Sequence, residues 1–232
     1  MKYVIFSDIH GNKYSLEKML EDLEYRNDIE GFIYCGDIMG YYYDYKYVID
    51  IFKKIKNFYI VIGNHDKLSV LAYDNKEMIK ELARKYGNAY LALENISVDD
   101  IQYLKGLPEH KHFIIDNKSV ALFHGTPNNI LEGRYYPDKK CEYSQFKDYD
   151  VVFLGHTHYK MKKVINNTII INPGSLGQPR DGKGFSYCIF DFSSMNYEFK
   201  TINYDKQLLI SKIKETETDI YHKKYLIDVL NR

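Results

Sequence analysis

Tyr3-Val4-Ile5-Phe6-Ser7-Asp8-Ile9-His10-Gly11-Asn12 is the stretch on which the reading of this chain turns. Four apolar residues run directly into a polar turn that carries a carboxylate, an imidazole and a glycine. A short apolar run closed by turn residues reads as a buried strand. Leu16, Met19, Leu20 and Leu23 follow at helical spacing, and then the pattern repeats. Phe32 to Cys35 leads into Gly36-Asp37, Tyr47, Val48, Ile51, Phe52 and Ile55 give a second helix, and Phe58 to Ile62 leads into Gly63-Asn64-His65-Asp66. Strand-helix-strand-helix-strand implies a parallel sheet with helices on its faces, and right-handed crossovers bring the three carboxyl ends to one edge.

Outward from that core, residues 67 to 107 read as helical, either a lid over the turns or a wall of the core, and Pro108 ends them. Strands are then expected at Lys111 to Ile115, Val120 to Phe123, Val151 to Leu154, Met161 to Ile165, Thr168 to Asn172, Tyr187 to Phe192 and Tyr197 to Ile202. Asn166-Asn167 suits a hairpin turn between two of them. The spacing predicts one domain over residues 1–204, and a helical tail over 205–232 that packs on it or forms a dimer contact.

Composition narrows the function. The 232 residues balance 32 Lys+Arg against 32 Asp+Glu, so no net field draws in nucleic acid or an anionic membrane. The apolar run Tyr3 to Phe6 is too short to read as a signal peptide, no apolar stretch approaches membrane length, and Cys35, Cys141 and Cys188 are odd in number and far apart. The expectation is a cytoplasmic protein, monomeric or homo-oligomeric, with three packed thiols.

Two later strands also end in ligand-rich turns, His124-Gly125 and Gly155-His156-Thr157-His158, so that five of the eight histidines lie in such turns. Ligands of an open α/β sheet bind outside the carboxyl ends of its strands, which makes five segments converge on one crevice. Asp8, His10, Asp37, Asn64, His124, His156 and His158 form an N/O donor set without thiolates, suited to Mn²⁺, Fe or Zn²⁺. Seven donors are too many for one tetrahedral ion, and they suffice for two if a carboxylate is shared.

In this order, Asp8-x-His10, Gly36-Asp37, Gly63-Asn64-His65-Asp66, His124 and Gly155-His156-x-His158 resemble the signature of the calcineurin-like metallophosphoesterases over roughly residues 1 to 200. Ser7 to Asn12 and Asn172-Pro173-Gly174-Ser175 are similar to the small prokaryotic branch related to diadenosine tetraphosphatases and phosphodiesterases. The resemblance implies an α/β fold, a four-layer αββα sandwich of two mixed sheets flanked by helices. It puts Asp8, His10, Asp37 and His158 on one divalent ion and Asp37, Asn64, His124 and His156 on a second, with Asp37 as the bridge. Manganese is the first expectation, with Fe, Zn, Ni or Co as alternatives. His65 would protonate the leaving group, Asp66 would orient its imidazole and raise its pKa, and Asn12 would contact the phosphate or a neighbouring ligand. A metal-bridging hydroxide would attack phosphorus in line.

The substrate implied is a small phosphodiester or nucleotide, such as a dinucleotide polyphosphate or cyclic nucleotide. Two alternatives stand beside it: a Ser/Thr protein phosphatase, and a metal-poor scaffold on the same fold, which would have no need to keep His65 and all seven donors. No Cys nucleophile motif or Walker loop is present. His110 and His112 read as ordinary strand residues. Tyr41 to Tyr45 reads either as a stacking platform for the leaving group or as a structural loop.

Overall fold

The computed structural model describes residues 1–140 and 143–231. The apolar runs are strands Lys2–Phe6 (β1), Ile29–Tyr34 (β2) and Phe58–Ile60 (β3), linked by helices Lys13–Leu23 (α1) and Tyr45–Phe52 (α2). Helices Asn64–Ala72 (α3), Lys76–Tyr86 (α4) and Val98–Lys105 (α5) follow, with a 3-10 segment, Asn88–Asn95, before the last. Strands His110–Ile115 (β4), Lys118–Phe123 (β5), Val151–Phe153 (β6), Lys160–Ile165 (β7) and Thr168–Pro173 (β8) come next. Ser186–Asp191 (β9), Asn196–Thr201 (β10) and helices Gln207–Thr216 (α6) and Ile220–Leu230 (α7) complete the chain.

Two mixed five-stranded sheets result, ordered β10-β9-β1-β2-β3 and β4-β5-β6-β8-β7. β1, β2 and β3 are parallel, as are β5, β6 and β8, and the remaining pairings are antiparallel. Period-two alternation assigns the layers. Tyr3 and Ile5 of β1 join Ile33, Cys35, Val120, Leu122, Val151, Phe153 and Phe190 in the core between the sheets. Val4 and Phe6 point the other way, onto Leu16, Met19, Val48 and Phe52 of the helical layer. Ala121, Phe123, Val152 and Ile170 face outward from the second sheet onto Tyr135 and Phe146. Because β1 is covered on both faces, it reads as a continuous apolar run rather than an alternation. Each fully buried large side chain contributes about 1.5–3 kcal/mol.

The tight turns follow residue chemistry. Asp116 and Asn117 take φ of 50° and 58° between β4 and β5, and Asn166 takes φ of 53° between β7 and β8. Asn and Asp tolerate this left-handed region better than other side chains. Ala72, Ile79, Leu82, Ile101 and Leu104 of residues 67–107, and Leu209, Ile213, Leu226 and Leu230 of the tail, are buried in the same helical-layer core. Glu217, between α6 and α7, is buried and accepts hydrogen bonds from the Tyr43 hydroxyl at 2.8 Å and the Asn88 amide at 3.0 Å. Cys35 and Cys188 are buried free thiols, as expected, and Cys141 lies outside the described residues. No helix among the described residues is long and apolar enough to cross a membrane.

Candidate metal centre

The turns after β1, β2, β3, β5 and β6 meet at one edge of the two sheets, and their backbone explains how they aim side chains inward. Asp8, His10, Asp37, His156 and His158 have φ of 54°, 48°, 70°, 63° and 61°. A left-handed residue other than glycine costs about 1–3 kcal/mol, and five such residues at one site are offset by ties between the turns. The Asp8 amide donates to Gly36 O at 2.9 Å and that of His10 to Asp37 O at 3.0 Å, while Gly155 N donates to His124 O at 2.9 Å. Two glycines are required by close approach: a Cβ at Gly63 would lie 2.0 Å from Asp37 Oδ1, and one at Gly40 would lie 2.4 Å from His10 Nδ1.

All seven candidate donors are buried and converge. His158 Nε2 lies 3.1 Å from His10 Nε2 and 3.3 Å from Asp8 Oδ1. His124 Nε2 lies 3.3 Å from Asp37 Oδ2 and 2.9 Å from Asn64 Oδ1, and His156 Nδ1 lies 3.0 Å from the same Asn64 oxygen. Asp37 Oδ2 also comes within 3.8 Å of His10 Nε2, so this carboxylate spans both groups. Two triads emerge, Asp8-His10-His158 and Asp8-Asp37-His124, with ligand atoms within 4.8 Å of one another. Ligands bonded at about 2.1 Å with angles near 90–110° stand about 3.0–3.4 Å apart, which the closest pairs of both groups approach, while Asp8 Oδ1 and His10 Nε2 are wider at 4.0 Å.

The imidazole tautomers strengthen the fit. His10 Nδ1 donates to Met39 O at 2.7 Å, and His158 Nδ1 donates to Gln178 O at 2.5 Å. In neutral rings this leaves both Nε2 atoms with lone pairs only, facing each other across 3.1 Å. Two buried acceptors so placed call for a cation between them. His124 is anchored in the same way, its Nδ1 to Cys35 O at 2.7 Å. Carbonyl anchoring of the far nitrogen is how metal-binding histidines are oriented.

Charge is concentrated here. Burial opposes the ionisation of Asp8, but His158 and His124 hold its carboxyl down at about 2. Burial likewise opposes ionisation of Asp37, which His124 and His65 hold well below the carboxylate range, and the Asp37 charge in turn draws His124 up to about 10 against its own burial. Removal from water, only partly countered by Asp37, pushes His65 down to about 4. The elevated pKa expected for His65 is thus not what its environment produces, because no carboxylate touches the ring.

Asp66 departs from its expected place for a related reason. As the third residue of α3 it folds back over the helix start, where Oδ2 accepts from the amides of Gly63 and Asp37 at 3.0 Å each and Oδ1 accepts from Met39 N at 2.8 Å. It braces the Asp37 turn, and the partner of the His65 imidazole is the Tyr90 hydroxyl, 2.5 Å from Nδ1. Asn12 is also not brought to the donors. It caps α1 by accepting from Ser15 N at 3.3 Å, and its Nδ2 donates to Tyr204 Oη at 2.8 Å and Gly177 O at 3.2 Å. His110 and His112 lie on β4, with Tyr149 Oη 3.0 Å from His112 Nε2.

The donors floor a narrow cavity of about 100 Å³, lined also by Tyr41, Tyr86, Glu132, Arg134 and Arg180. Of the Tyr41 to Tyr45 loop only Tyr41 reaches it. Tyr42 is buried in the helical-layer core, and Tyr43 is hydrogen-bonded to Glu217. The two arginines escape motif reading, yet a signal existed: only five of the 32 Lys+Arg residues are Arg, and Arg is the side chain that grips phosphate with a planar fork. A larger groove of about 520 Å³, bordered by Glu77, Arg84 and His222, lies elsewhere and includes none of the seven donors.

Residues 1–195 match the calcineurin-like phosphoesterase superfamily domain. The chain is 29% identical to an uncharacterized protein of Methanocaldococcus jannaschii over 228 residues, covering 90% of each. It is 27% identical to a phosphodiesterase of the same organism over 175 residues, covering 75% of this chain and 83% of that one. The crystal structure of a metallophosphoesterase from Sphaerobacter thermophilus superposes with a TM-score of 0.80 at 25% identity, covering 98% of both chains.

Proposed function

The chain belongs to the calcineurin-like phosphoesterase superfamily and is a phosphoester hydrolase, and from that premise we propose that it uses two divalent ions to cleave a small phosphodiester or nucleotide, such as a dinucleotide polyphosphate or a cyclic nucleotide. The observation that carries the dinuclear reading is the pair of imidazole lone pairs facing each other at 3.1 Å, beside a second donor group that shares Asp8 with the first and approaches His10 through Asp37 at 3.8 Å. Asp8, His10, Asp37 and His158 would hold one ion, and Asp37, Asn64, His124 and His156 the other, with Asp37 between them. When bound, such ions neutralise the phosphoryl oxygens and make a water acidic enough to attack at neutral pH. Manganese is the first choice for an N/O set of this kind, ahead of Fe, Zn, Ni or Co.

The remaining work falls to the protein. The cavity of about 100 Å³ is narrow enough that only the phosphate portion of a substrate would enter, with the rest left outside. His65 stands on the leaving-group side. With Tyr90 Oη donating to its Nδ1, the neutral ring presents Nε2–H to the departing oxygen and supplies a hydrogen bond where charge develops. Arg134, whose Nε lies 3.2 Å from His156 Nε2, supplies a cation in the wall of the same cavity. Two free, buried cysteines suit a cytoplasmic setting.

The test is a metal-reconstituted activity panel of a dinucleotide polyphosphate, a cyclic nucleotide, an aryl diester, an aryl monoester and a phosphopeptide, run on wild type and Asp37→Asn. Turnover is expected on the small substrates with about two ions per chain. Asp37→Asn should lose on the order of a thousandfold in rate, the equivalent of about 4 kcal/mol, together with metal stoichiometry. Near-normal rate and metal content in that variant would sink the bridging assignment. Inactivity of the fully loaded wild type across the panel would favour the scaffold reading.

A further inference from the structure

Arg180 occupies an unusual position for a cation. Its Nη2 donates to Tyr41 Oη and to Gln178 Oε1, each at 3.0 Å, and its guanidinium carbon lies 5.8 Å from the centroid of the Tyr41 ring. Both contacts fix the plane of the fork, and neither neutralises it. Its buried Nε has no hydrogen-bond partner, and Asp8 acts on the guanidinium at a distance rather than through a contact. A largely desolvated guanidinium with an unmet donor, held rigidly in the wall of a cavity, is a preformed anion site.

Its location identifies the anion. The Tyr41 ring that holds Arg180 is 4.8 Å from the His10 ring and 5.1 Å from the His65 ring. Arg134 lies beside His156 in the lining of the same cavity. A phosphoryl group seated over the donors therefore has two guanidiniums in its walls, one beside His156 and the other, Arg180, joined through Tyr41 to His65. An ester whose leaving group is an uncharged alcohol has nothing to offer this fork.

We propose that Arg180 binds a second phosphoryl group carried by the leaving group, so that the favoured substrate is a phosphoanhydride of the nucleotide polyphosphate class rather than a simple ester. The inference rests on the phosphoesterase reading above and narrows its substrate. In the cleavage step a water oxygen forms a bond to the attacked phosphorus and releases a proton to solvent. The bond from that phosphorus to the bridging oxygen breaks, and its electron pair stays on the bridging oxygen. The departing phosphate leaves as an anion, its new charge facing Arg180.

The experiment compares wild type, Arg180→Gln and Arg180→Lys, each checked for folding by its melting curve. Kinetics on diadenosine tetraphosphate and on bis(p-nitrophenyl) phosphate are measured alongside calorimetric binding of adenosine 5′-(α,β-methylene)diphosphate to metal-loaded and metal-free protein. Arg180→Gln is expected to raise KM for the anhydride, and to weaken binding of the methylene analogue, by about 10- to 100-fold, as loss of a charge-assisted fork implies. The loss on the aryl diester should be about tenfold smaller, and Arg180→Lys, which keeps charge without the fork, should fall between. Equal losses on both substrates with unchanged analogue binding would overturn the proposal and leave Arg180 a support for Tyr41. Wild type that turns over the diester yet binds the analogue no better than inorganic phosphate would overturn it too, with the phosphoesterase reading intact. If no substrate is hydrolysed, the function reading fails, and the binding arm still decides on Arg180.

Discussion

His65 and Asp66 are neighbours in sequence with separate tasks. Asp66 is consumed by three backbone amides, those of Gly63, Asp37 and Met39, whereas the His65 imidazole is held by Tyr90. Substitution should pull the two roles apart. Asp66→Asn puts an NH₂ where a carboxylate oxygen accepts, so an amide of the Asp37 turn loses its acceptor at a cost of about 1–3 kcal/mol. The expected outcome is a lower melting temperature and reduced metal content by elemental analysis. Tyr90→Phe should keep full metal content and lose about tenfold in kcat, within the range for a positioned proton-handling group, most of all on poor leaving groups. If Asp66→Asn keeps its metal and slows only as Tyr90→Phe does, then the carboxylate acts on the imidazole after all.

Elements position the donors through their ends rather than their bodies. Each parallel strand delivers its last residues to the same edge, and each following segment starts there. Asn12 shows how much of a conspicuous motif serves that geometry: its side chain caps α1 and ties the turn to Gly177 and Tyr204. Asn12→Ala is expected to cost about 1–2 kcal/mol through the lost cap, lowering the melting temperature while KM for the best panel substrate stays within about twofold, since no polar atom of Asn12 is free for substrate. A severalfold rise in KM with unchanged stability would restore Asn12 as a substrate contact.

At the scale of the whole molecule the site is a joint between two sheets. Asp8, His10, Asp37 and Asn64 follow strands of the first, and His124, His156 and His158 follow strands of the second. Ions bound between them would stabilise the folded form by mass action, by about 2.7 kcal/mol when free metal is a hundredfold above its dissociation constant. Chelation should therefore lower the melting temperature of the wild type by several degrees in calorimetry. Asp37→Asn should melt at one temperature with or without added metal. A chelated wild type that melts as the loaded protein does would mean that the donors hold no ion in solution.

Periodicity and turn chemistry carried the chain order of the ten strands, because a strand packed on a core shows a short apolar or alternating run and tight turns favour Asn, Asp or Gly. The same local rule picked out the seven candidate donors and His65, since each lies within a few residues of a strand end. Lining the cavity is another matter. Arg134, Arg180, Tyr86 and Tyr90 sit in segments with no motif of their own, and only packing of the second sheet and the helical layer carries them to the edge. Whether Asp66 faces the ring beside it or the amides behind it was also beyond local reading. Spacing along a chain constrains which residues share a turn, whereas hydrogen-bond partners and neighbouring charges are settled by long-range contacts that exist only once the sheets have closed on each other.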